Sequence, residues 1–132
     1  MAKNHISRPE EHPAVKEILF RSRTITLFEE IDRESASDII RQMIAMDQVS
    51  KKSASFTLMI NSPGGELSAM MAIIDKMGRV RSKIDTVIVG EVCSAATLIA
   101  LHGNNRMMTE NAAWMGHEMS QFLVDYHSKL VK

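Results

Sequence analysis

Three times in succession this chain sets a short β-branched or apolar run ahead of a run whose apolar residues recur every three to four positions. That order confines it to a layered α/β architecture. Residues Thr24 to Phe28 read as a strand, and after Asp32 the residues Ile39, Ile40, Met43, Ile44 and Met46 mark an amphipathic helix. Ser55 to Ile60 read as the second strand, Asn61 to Gly65 as a turn, and Leu67, Met70, Met71, Ile74, Met77 and Val80 fall at helical spacing. In the third cycle Asp85 to Val89 form a buried strand, and Ser94 to Leu101 an almost wholly apolar helix. Consecutive units of this kind imply right-handed crossovers and a mostly parallel sheet flanked by helices. His102 to Arg106 break the third helix, after which Arg106 to Thr109 and Ala112 to Gly116 read as two short strands, and Gln121 to Lys132 as the start of another helix.

The 132 residues suffice for one domain with a real core. Two prolines and many charges ahead of Ala14 mark an extended arm, so residues 1–22 are assigned to an arm and a first short element, and 23–132 to the domain proper. With aromatics at only 5%, the interior falls to aliphatic residues and eleven Met, read as flexible filler of the core. Sixteen basic and sixteen acidic residues cancel, and no basic stripe offers a footprint for nucleic acid. No apolar stretch has the length of a membrane span, and the single cysteine, Cys93, forms no internal disulfide, so a cytoplasmic protein is expected.

In a parallel sheet, ligands gather where strands end and helices begin. Two such turns stand out. Asn61 to Gly65 ends in paired glycines, which either make a plain tight turn or bring a backbone N–H up to a reacting group. Ser94 heads the apolar helix, either as an N-cap or as an exposed hydroxyl beside the Ala95 N–H. Cys93 reads as a small packing residue rather than a thiol nucleophile. Among the five histidines only His117 follows an apolar strand, at the end where a general base could meet Ser94. No cluster has metal-ligand spacing and no phosphate loop is present, so no cofactor is expected.

From about Arg23 onward the chain resembles the Clp protease proteolytic subunit (ClpP) family. The likeness is strongest at Ile60 to Gly65 and the helix carrying Ala72 to Met77, continues through Asp85 to Gly90 to Ser94, and includes Ala112 to His117. The resemblance implies a ClpP/crotonase-like fold of stacked β-β-α units, with Ser94 as nucleophile, His117 as base, and the N–H groups of Gly65 and Ala95 as oxyanion hole. It further implies a serine endopeptidase acting on unfolded polypeptides in a homo-oligomeric ring, with a ring ATPase as partner. Ala95 stands where the family usually has Met. Glu118 to Phe122 replace its Gln-Pro and glycine-rich strand, and Asp125 begins what resembles the handle helix. The chain reaches Lys132 before the family's catalytic aspartate, and Asp125 reads as surface charge. The competing expectations are therefore an impaired or regulatory subunit without that aspartate and, more distantly, a crotonase-like acyl-CoA enzyme.

Overall fold

The computed structural model describes residues 12–49 and 54–116. Helix α1 (Pro13–Arg21) comes first, opened by Pro13 in the first turn and by the His12 imidazole, whose Nδ1 accepts from the Ala14 amide at 3.2 Å. Proline suits this position because its missing N–H would have had no helical partner. The arm expected through Ala14 thus gives way to helix at Pro13, and residues 1–11 lie outside the described ones.

Strand β1 (Thr24–Leu27) leads to α2 (Arg33–Val49), whose start is fixed by a reciprocal cap: the Asp32 carboxylate accepts from the Ser35 amide at 2.8 Å, and the Asp32 amide donates to the Ser35 hydroxyl at 2.9 Å. Then follow β2 (Phe56–Ser62), α3 (Leu67–Met77), β3 (Ile84–Cys93), α4 (Ala95–Leu101), β4 (Arg106–Met108) and β5 (Ala113–Met115). Strand order is β1-β2-β3-β4, parallel throughout. Because that order never reverses, crossovers of one hand place α2, α3 and α4 on the same face.

Register explains the core. Ile25 pairs with Leu58, Leu27 with Ile60, Phe56 with Ile84 and Ile60 with Ile88, so every second residue meets the helix layer. Those residues are buried together with Ile39, Met43, Met46, Met70, Ile73 and Met77. Each large apolar side chain so buried is worth about 1.5–3 kcal/mol of transfer free energy. Four of the methionines do serve as core filler. The alternate residues Thr24, Thr26, Thr57, Met59, Val87 and Val89 form an opposite face that is only half-buried.

Strand β3 is longer than its sequence suggested. It runs through Gly90 to Cys93, with a register shift against β2 between Ile60 and Ser62. Across the shift the Asn61 side-chain oxygen accepts from the Glu91 amide at 3.2 Å, in place of a ladder bond. The first half of β3 pairs with β4 and the second half with β5, both in parallel, so β4 and β5 lie end to end along one edge. Between them the Thr109 amide stays bonded to the Ile88 carbonyl at 3.0 Å.

Candidate active site

All strands run the same way, so the ends of β1, β2 and β3 and the turn after each lie along one edge of the sheet. At β2 the fully buried Ser62 hydroxyl accepts from the Gly64 amide at 3.2 Å, starting a turn that carries Gly64 at φ 95° and Gly65 at φ 153°. Only glycine enters this backbone region without strain. The turn is pinned to the segment after β1: the Ile31 amide donates to the Gly64 carbonyl, and the Glu66 amide to the Ile31 carbonyl, each at 2.8 Å. A side chain at Gly65 would collide with the Ile31 carbonyl oxygen. The Gly65 N–H itself has no acceptor among the described residues.

The glycine turn lies directly against the end of β3. A Cβ on Gly64 would sit 2.7 Å from the Cys93 carbonyl oxygen, 3.0 Å from Ser94 Cβ and 3.1 Å from the Ala95 nitrogen. Ser94 occupies the N-cap position of α4, but with φ 54° and ψ −124°, outside the extended region that N-caps normally adopt. A non-glycine residue held in so sparsely populated a region costs on the order of 1–3 kcal/mol. Its hydroxyl makes no capping bond. Ser94 therefore stands where a cap stands, but its side chain does not cap.

Three contacts hold that backbone. The Ser94 amide donates to the Met115 carbonyl at 3.1 Å, which ties the turn to β5. The Ser94 carbonyl accepts twice from Thr97, from its amide at 3.0 Å and from its hydroxyl at 2.6 Å. Ala95 is fully buried as the first residue of α4, where the helix ladder supplies no acceptor for its N–H. Cys93 ends β3, half-buried and paired with Met115.

The structure thus brings Ser94 and Ala95 against Gly64, in the turn that also carries Gly65. His117 lies outside the described residues, as do Asp125 and the expected helix from Gln121. Sequence reasoning missed Thr97 and Met115. Thr97 was visible only as a β-branched residue in an alanine-rich helix start, and Met115 as one of many methionines. Among the described residues no group of three or more His, Cys, Asp or Glu could hold a metal ion, and no helix is long and apolar enough to cross a membrane.

Comparison with known proteins gives consistent results. The family model described as Clp protease matches residues 7–126. The ATP-dependent Clp protease proteolytic subunit 1 of Thermobifida fusca is 42% identical over 91 residues, which cover 69% of this chain and 40% of that protein. The proteolytic subunit of Streptococcus agalactiae serotype V is 32% identical over 114 residues, covering 85% of this chain and 58% of that one. The chain therefore spans about half the length of the curated relatives it matches. Among solved structures, the ClpP protease catalytic domain of Plasmodium falciparum superposes with a TM-score of 0.78 at 30% identity, covering 96% of this chain and 71% of that one. A ClpP1 N165D mutant from Listeria monocytogenes gives a TM-score of 0.75 at 26% identity, covering 88% and 68%.

Proposed function

This chain belongs to the Clp protease family, and on that footing we propose that it is a serine endopeptidase subunit with Ser94 as nucleophile and His117 as general base. The carrying observation is the Ser94 hydroxyl, released from the helix cap by a strained backbone and set beside the glycine turn.

In the first step Ser94 Oγ attacks the scissile carbonyl carbon while His117 takes the hydroxyl proton. The carbonyl oxygen becomes an oxyanion, received by the N–H groups of Gly65 and Ala95. The first of these has no acceptor among the described residues, and the second heads a helix. Losing one such donor costs about a hundredfold to a thousandfold in rate. Collapse of the intermediate breaks the C–N bond, and the leaving amine takes the proton from His117. Water, deprotonated by the same imidazole, then attacks the Ser94 ester; the acyl C–Oγ bond breaks, releasing the carboxylic acid, and the imidazolium returns its proton to Ser94 Oγ.

Unfolded polypeptide is the substrate class we assign, handled inside a homo-oligomeric ring. The exposure of Trp114, Met115, Met107 and Met108 along one sheet edge supports assembly, because apolar surface of this kind marks contacts. The names of the relatives, ATP-dependent proteolytic subunits, support a separate ring ATPase as partner. A fluorescent fluorophosphonate should label the wild-type chain, leave Ser94→Ala unlabelled, and label His117→Gln about a hundredfold more slowly or worse. Equal labelling of wild type and Ser94→Ala would overturn the assignment.

A further inference from the structure

We propose that Thr97 is a positioning residue that keeps the Ser94 hydroxyl available by occupying the hydrogen bonds that would otherwise draw it into a helix cap; this rests on reading Ser94 as the nucleophile. A serine at an N-cap normally turns its Oγ onto the amide two or three residues on. In α4 the third of those residues is Thr97, so the Thr97 N–H is the natural partner of the Ser94 side chain. That amide instead donates to the Ser94 carbonyl at 3.0 Å, and the Thr97 hydroxyl reaches the same oxygen at 2.6 Å.

Two donors on one carbonyl fix its direction and with it the Ser94 ψ of −124°. Thr97 is only 6% exposed, so no bulk water replaces its hydroxyl if the bond is lost. At the other end of the residue, the Met115 carbonyl holds the Ser94 amide. Thr97 is therefore the clamp on the carbonyl side, and its hydroxyl is the part that an ordinary helix residue would not supply.

Valine has the shape of threonine without the hydroxyl, and serine the hydroxyl without the methyl, so the pair separates bonding from packing. Thr97→Val should slow fluorophosphonate labelling about tenfold, the scale of one hydrogen bond, and lower the melting temperature by about 4 °C, the loss that one such bond implies. Thr97→Ser should label within about twofold of wild type. Labelling of Thr97→Val at the wild-type rate, or slowing that follows lost volume rather than lost hydroxyl, overturns the proposal. Crystal structures of wild type and Thr97→Val give a second readout that needs no activity. Ser94 Oγ turned onto the amide of residue 97 in the variant supports the clamp, and an unmoved Ser94 refutes it. If the wild type does not label at all, the nucleophile reading falls and these structures alone decide the role of Thr97.

Discussion

Gly64→Ala tests the contact on which the site depends. The added Cβ would lie 2.7 Å from the Cys93 carbonyl oxygen, whereas ordinary contact begins near 3.4 Å, so the turn and the end of β3 must part by about 0.7 Å. Those atoms are backbone on both sides, tied by the Ile31 bonds and the sheet ladder, and no flexible side-chain end can give way. Strain at φ 95° contributes on the order of 1–3 kcal/mol, and overpacking a comparable amount. Taking about 3 kcal/mol, and an unfolding entropy near 2.1 cal/mol/K per residue, the melting temperature of a chain this size should fall by about 11 °C. The displaced groups are Ser94 and the Ala95 amide, which on the proposed mechanism are the nucleophile and an oxyanion donor, and misplacing such groups by about 1 Å costs roughly a hundredfold in rate. Fluorophosphonate labelling should slow on that scale even well below the melting transition. Gly78→Ala is the internal control: Gly78 has helical dihedrals of −72° and −12°, and its Cβ would meet nothing closer than 3.6 Å. If Gly64→Ala melts within about 2 °C of wild type, near half a kcal/mol on the same conversion, and labels at the same rate, the turn does not abut Ser94 as described.

Ser94→Gly should raise the melting temperature by about 4 °C, near 1 kcal/mol, because glycine relieves the positive φ and no capping bond is lost; differential scanning calorimetry showing no gain would mean that the residue is unstrained. Asp47 probes the opposite end of the fold, where its carboxylate accepts from the Arg81 and Ser82 amides at 3.0 and 3.1 Å and from the Ser82 hydroxyl at 3.2 Å. Burial pushes the Asp47 carboxyl up, but these bonds and the Arg81 guanidinium outweigh it and hold the group below its ordinary range. A depressed folded value means stability that is present above the unfolded value near 3.9 and lost as pH falls through the lower folded one. The melting-temperature gap between wild type and Asp47→Asn should hold from neutral pH to about 5 and shrink below about 4; a gap undiminished at pH 3 contradicts the charge-based account.

Periodicity carried the sequence reading a long way. The alternation of Ile25 and Leu27, then Phe56, Leu58 and Ile60, places one face of each strand in the core, and the helical spacing of Met43, Met46, Met70 and Met77 places the helices over it. These patterns are local, and local sequence records them. What escaped depends on tertiary contacts. Gly90 reads as a strand end, but β3 continues past it because the Asn61 side chain supplies a bond across the shift. Pro13 reads as part of an arm, yet it opens a helix. The strands β4 and β5 are short enough that nothing in them announces that both follow the direction of β3. At the site, the turn at Gly64 and Gly65 and the serine at 94 were legible from residue type and position, whereas the dihedrals of Ser94 and its bonds to Thr97 and Met115 were not. A hydroxyl that caps and one that does not are the same letter.

Ser94 is fastened to two supports of unequal stiffness. On its carbonyl side is Thr97, in a helix sunk into the core. On its amide side is Met115, in a three-residue strand whose side chains face solvent. Any drift of that rim reaches residue 94 through this N–H···O contact and through the pairing of Cys93 with Met115 beside it. The steadiness of the hydroxyl therefore depends on the exposed rim of the described sheet as well as on the well-packed interior.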